Sequence, residues 1–133
     1  MFPVIYNQGT EVLSRMGTFT VFPLAVKVSP DGKMEKLLAD LSPDTSWGDR
    51  KIAAQKLGYM GNPAALPGLL AALPADPFWM VRYAIIQALV MIGDPAAVPT
   101  LREVAENDGF QVVRSYAAKA IKQLSQKREE RES

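Results

Sequence analysis

Histidine and cysteine are both missing from this 133-residue chain. Their absence excludes disulfides, thiol nucleophiles, the usual zinc ligand sets and any Ser-His or Cys-His relay. Carboxylate chemistry remains possible in principle. An excess of charge is missing too: 15 Lys and Arg stand against 14 Asp and Glu, a net +1. That balance gives no electrostatic footprint for nucleic acid or an anionic membrane. No apolar run nears the ~18 residues of a membrane span. Residues 1–20 lack a basic start followed by an apolar stretch, so no signal peptide is read and the cytoplasm is the expected location. The expectation is a protein without cofactor, metal or catalytic site. What is present is an ordinary soluble balance, 48% hydrophobic and 22% charged, in a chain long enough for one core.

The chain repeats itself. Arg50, Arg82 and Arg114 are spaced 32 residues apart, and on that period residues 49–80 and 81–112 align without a gap at eleven identities in 32 positions. Leu57 falls on Leu89 and Ile121, Gly61 on Gly93, Pro63 and Pro67 on Pro95 and Pro99, Leu69 on Leu101, Asp76 on Asp108, and Phe78 on Phe110.

Each unit reads as two helices. Val81, Ala84, Ile85, Ala88, Leu89 and Ile92 recur at three- and four-residue steps, predicting a helix over about Trp79–Ile92 with one inward face. Gly93 stops it in the left-handed conformation, and Asp94-Pro95 starts the next with a cap and a first-turn proline. That second helix runs to about Asn107, with Val98, Leu101, Val104 and Ala105 inward. In unit 49–80 the first-helix positions are Ile52, Ala53, Lys56, Leu57 and Met60; Leu66, Leu69, Leu70 and Leu73 fill the second. The last unit has one helix, Val113 to about Gln126, before a charged end expected to fray.

The N-terminal part departs from the pattern. Glu11–Gly17 resembles Gln55–Gly61, and Leu37, Leu41 and Asp44 are in phase with Leu69, Leu73 and Asp76. About 12 extra residues, centred on Lys27–Gly32, separate the two halves. Phe19–Val28 reads either as part of a broken helix or as a short extended ribbon. Met1–Tyr6 and Phe19–Val28 are more apolar than a terminal cap should be. They form either a lid over the first unit or a surface for another protein or a second copy.

Asp76-Pro77, Val81-Arg82, Ala84, Ala88-Leu89, Ile92-Gly93-Asp94-Pro95, Ala97-Val98-Pro99 and Leu101 resemble the short HEAT repeat named after phycobilisome lyases. The resemblance covers residues 44–125 well and 10–43 poorly. It implies an all-α, right-handed α-α superhelix, a HEAT-like solenoid of about three 32-residue helix pairs with a modified N-terminal cap. One domain is expected over residues 1–126: a degenerate first unit with an insertion at 10–48, then units 49–80, 81–112 and 113–126. A charged tail, 127–133, follows. Among proteins with such repeats, deoxyhypusine hydroxylase holds iron with paired His-Glu motifs, so the missing histidine excludes that activity. The resemblance implies a non-catalytic protein-interaction or scaffold module; the alternative is a bilin-binding or lyase-like accessory protein. A HEAT-like DNA glycosylase needs a basic groove, which the charge balance argues against.

Several residues are candidates for either role. Asp44, Asp76 and Asp108 each precede Arg50, Arg82 and Arg114 by six, which reads as a structural ladder of helix caps and ion pairs. Trp47 and Trp79, beside Phe78 and Phe110, read as packing aromatics or interface anchors. Tyr83 replaces Lys51 and Ser115 at an outward position. Outward positions of the second helices are Gly68, Ala71 and Ala75 in one unit, and Thr100, Glu103 and Asn107 in the next. The candidate interaction surface is therefore Trp47, Trp79, Tyr83, Thr100, Glu103 and Phe110. The expected partner is another protein, with self-association through the apolar N-terminal segment as a further possibility, and neither nucleic acid nor membrane.

Overall fold

Gly61 and Gly93 set the rhythm of the described chain. Both take positive φ, 63° and 77°, and each ends a 14-residue helix by returning its N–H to a carbonyl of the last turn. A residue with a Cβ would be strained there. The computed structural model describes residues 32–132, and every regular element among them is helical. The elements are α1 (Lys33–Ala39), α2 (Trp47–Met60), α3 (Leu66–Ala75), α4 (Trp79–Ile92), α5 (Val98–Asn107) and α6 (Gln111–Glu132).

The local chemistry recurs 32 residues on. After Gly61, Asn62 Oδ1 accepts the Ala64 N–H at 3.0 Å and opens a 3-10 turn, Pro63–Ala65; after Gly93, Asp94 Oδ1 accepts the Ala96 N–H at 2.9 Å and opens Pro95–Ala97. α3 and α5 follow directly, each with proline in its first turn, where no N–H is needed. The cap residues therefore start the turns, and the α-helices begin three residues later. Ser46 caps α2, its hydroxyl accepting the Asp49 N–H.

Two layers result. α2, α4 and α6 lie side by side, with α4 in the middle, while α3 and α5 each lie closest to the first helix of the following unit. Leu57, Leu69, Leu73, Ile85, Leu89, Leu101, Val113 and Leu124 are fully enclosed between the layers. α2 and α4 approach so closely that a Cβ on Gly58 would lie 2.9 Å from the Ala88 Cα. α1 occupies the second-helix place of the first unit: it lies on α2, and its Leu38 covers Gly68 of α3.

Val98 and Ala105 pack against the core as expected, half-buried. Three readings need correction. Ile52, Lys56 and Met60 are exposed, not inward. They lie on the flank of α2 that corresponds to the α4 flank packed on α2, and among the described residues only α1 borders it. Gly68 is half-buried beneath Leu38, not outward. Finally, α6 continues through Lys127 to Glu132 instead of ending at Gln126. Its last residues are good helix formers, and the Lys127 side chain lies over Gly93 at the C-terminal end of α4, where a cation is favoured. Residues 1–31, including Met1–Tyr6 and Phe19–Val28, lie outside the described residues.

Candidate interaction surface

The starts of the first helices carry a continuous charged ladder. Asp76 donates no cap from the N-cap position itself, which is Phe78; instead its Oδ1 accepts the Phe78 N–H at 2.9 Å, and Asp108 does the same for Phe110. The carboxylates then reach back to the arginine at the start of their own 32-residue unit. Arg50 binds Asp76 through Nε at 2.7 Å and Nη2 at 3.3 Å; Arg82 binds Asp108 through Nε at 2.6 Å and Nη2 at 2.9 Å. Such forked pairs fix both position and angle. Each arginine also donates to a backbone carbonyl: Arg50 to Thr45, Arg82 to Asp76 at 2.9 Å, Arg114 to Asp108 at 2.6 Å.

The pairing runs from each Arg to the Asp 26 residues ahead, not to the Asp six behind, and this leaves Asp44 out. Its N–H donates to Ser42 Oγ, and Arg50 takes the Thr45 carbonyl instead. By the same spacing the arginine for Asp44 would stand at residue 18, where the sequence has Thr18, outside the described residues. Arg114 makes its main-chain bond without a carboxylate pair among the described residues. Burial alone would raise the Asp108 pKa. The Arg82 hydrogen bond, the Phe110 N–H and the Arg82 and Arg114 charges outweigh it and hold the carboxyl below its ordinary value.

Aromatic rings cover this ladder. Trp47 lies against Phe78 with ring centroids 5.9 Å apart, and Trp79 stacks on Phe110 at 6.1 Å. The Arg50 and Arg82 guanidiniums sit 5.7 and 5.8 Å from the Phe78 and Phe110 centroids, within cation–π range. Trp47, Phe78 and Phe110 are nevertheless exposed, so each pair also leaves apolar surface open to solvent. Tyr83 stands apart on the outer side of the first-helix layer, half-buried and stacked on Tyr116 with centroids at 4.4 Å and planes 21° apart. Burial, and then the neighbouring Tyr83, push the Tyr116 phenol up.

Glu103 lies on the opposite side, in a hollow of about 480 Å3 with Pro74, Val104, Asn107 and Asp108. A second hollow of about 380 Å3 is its counterpart one unit earlier. Ser42, Ala71, Ala72, Ala75, Asp76 and Pro77 line it at the positions of Pro74, Glu103, Val104, Asn107, Asp108 and Gly109. The frame is constant and the lining differs: apolar and small in the first, acid and amide in the second. Thr100 is half-buried outside both.

The candidate residues thus fall on three surfaces. Trp47, Trp79 and Phe110 share the helix-start edge, Tyr83 is on the outer face, and Glu103 is in the second-helix hollow. Sequence reasoning put Ala71, Ala75, Glu103 and Asn107 on the second-helix side where the hollows lie, but missed the hollows' other walls and Tyr116, which lies one residue out of register with Tyr83. The repeating Asp-Pro-Phe and Asp-Gly-Phe turns were the available signal for those walls. Among the described residues no helix is long and apolar enough to cross a membrane.

The family of HEAT repeats matches residues 34–122. No curated protein matches the chain.

Proposed function

The chain belongs to the HEAT-repeat family, and on that premise we propose that it is a non-catalytic protein-interaction module that binds its partner along the second-helix side. In this reading the helix pairs form a right-handed superhelix of 32-residue units, and α1, α3 and α5 present its row of hollows. The observation that supports it is the recurrence of one hollow in two adjacent units with the same frame and a changed lining. Solenoid surfaces discriminate partners in this way, by varying side chains on a fixed repeat. The hollows favour an extended partner that places a small apolar group against Ala71 and Ala75, and a hydrogen-bond donor or a cation against Glu103. The bilin reading has only the resemblance behind it: Arg82, the arginine of the larger hollow, is already paired with Asp108.

The test is site-specific photo-cross-linking in the native host. A photoreactive residue in place of Glu103 should yield a discrete higher-mass adduct, and one at exposed Ala96 should not. Adducts from neither position, or equally from both, would overturn the placement.

A further inference from the structure

The net charge of +1 conceals a segregation between the two helix layers. Asp49 is the only carboxylate on α2, α4 and the first 17 residues of α6, Gln111–Lys127. The same helices carry Lys51, Lys56, Lys119, Lys122 and Lys127 as well as the ladder arginines. The other described carboxylates lie on α1, on α5, in the turns between helices or at the charged end of α6. Lys56 lies on the α1 flank, Lys127 over Gly93, and Arg50 and Arg82 are paired with carboxylates, so Lys51 is the cation that lines the outer side of the first-helix layer.

This side is also recessed and apolar. A hollow of about 460 Å3 is lined by Lys51, Gln55, Trp79, Tyr83, Gln87 and Val112. A second, of about 250 Å3, is lined by Gln55, Tyr59, Gln87, Met91 and Tyr116. Gln55 and Gln87 belong to both, so the two join as one trough along α2 and α4 that opens onto α6. The close approach at Gly58 and Ala88 lowers its floor. Tyr59, Met91 and Val112 are 79%, 45% and 47% exposed along it. From Lys51 to Tyr59 the trough follows two turns of helix, roughly 12 Å.

We propose that this trough is a second docking surface, separate from the second-helix hollows, and that its occupant is a short acidic amphipathic segment of a partner protein. Apolar side chains of the segment at i, i+4 and i+7 match a two-turn trough lined with Tyr, Met and Val. Met and Tyr suit such a site because one adapts and the other offers a large rigid surface with a hydroxyl. Gln55 and Gln87 can both donate to and accept from the polar groups of the segment. Lys51 lines it, Lys119 follows the lining Tyr116 by one turn of α6, and both select carboxylates; among the described residues no carboxylate lines the trough to oppose them. Central amides suit the backbone of a peptide, whereas holding an anionic lipid surface takes a cluster of about 4–8 Lys or Arg.

The experiment is selection of a displayed library of random peptides, roughly 16 residues long, on the full chain. The expected result is enrichment of acidic sequences with apolar residues at helical spacing. Their binding should fall with added salt and drop at least about tenfold in the Lys51→Glu, Lys119→Glu double variant and in Tyr83→Ala. Lys119 is exposed and Lys51 lines the trough without belonging to the enclosed core, so the double variant reports binding even if Tyr83→Ala loosens the fold. It should be unchanged in Glu103→Lys. Enriched peptides that ignore the lysine variants but are lost in Glu103→Lys would overturn this surface and leave the proposed interaction module standing. No enriched peptide, or salt-sensitive binding to phosphatidylserine-containing vesicles in its place, would overturn the proposal.

Discussion

Arg82 is the residue on which most of the architecture converges. It holds the Asp108 carboxylate, the Asp76 carbonyl and the Phe110 ring. Both partners of its ion pair are nearly enclosed, at 10% and 6% exposure. Removing one member of such a pair strands the other, so Arg82→Ala should cost about 3–5 kcal/mol by urea unfolding. Arg114→Ala, which breaks no carboxylate pair, should cost clearly less; equal losses would contradict the ladder. Asp108 adds a pH dependence. Its pKa is lowered in the fold, so its stabilisation is complete above the ordinary carboxylate range and is lost as pH falls through the folded value. The stability gap between the wild type and Asp108→Asn should therefore shrink on acidification, and a constant gap would argue against the pairing. Two glycines of α2 separate packing from propensity. Gly48 has open space around it, so Gly48→Ala should stabilise by up to about 1 kcal/mol. Gly58→Ala meets the backbone of Ala88 and should destabilise by about 1–2 kcal/mol despite the same helical gain. Thermal melts of the two variants should move in opposite directions.

At the level of the helix, the sequence was most readable where a single residue type has one physical use. Gly93 and Asp94-Pro95 mark the end of α4 and the next turn, and α4 spans the residues its apolar spacing predicted. Asp94→Ala removes the acceptor of the Ala96 N–H and should cost about 0.5–2 kcal/mol, measured by urea midpoint. The reading failed where the answer depends on neighbours. Ile52 and Ala84 occupy the same place in their helices, yet Ala84 packs on α2 while Ile52 is exposed, because a helix at the edge of the described stack has one flank without the partner its successor has. The end of α6 was misjudged for a related reason. Its charges read as a solvated tail although its residues are good helix formers, and the reach of Lys127 to Gly93 is a contact that no local window of sequence shows.

At the level of the molecule, periodicity revealed the repeat but not the direction of its cross-links. The Asp six residues before each Arg was the visible spacing; the bond goes instead to the Asp 26 residues ahead, near the far end of the same 32-residue unit, which the stacking of α2 on α4 brings into reach. The outer trough was hidden for the same reason, since it is bounded by residues from three helices; the second-helix hollows were signalled by Ala71, Ala75, Glu103 and Asn107, but not the walls that the neighbouring turns add. The enclosed leucines make the stack cooperative: Leu57→Ala, Leu89→Ala and Leu101→Ala should each cost about 2–5 kcal/mol, and losses below about 1 kcal/mol at all three would contradict the packing.

The central claim is that the second-helix hollows bind a protein. The direct measurement is quantitative capture from the native host with the tagged full chain, beside the Ala71→Trp, Glu103→Lys double variant, which fills one hollow and inverts the charge of the other. At least one protein should be held by the wild type and reduced about tenfold or more by the variant. Capture that is identical in the two would contradict the account.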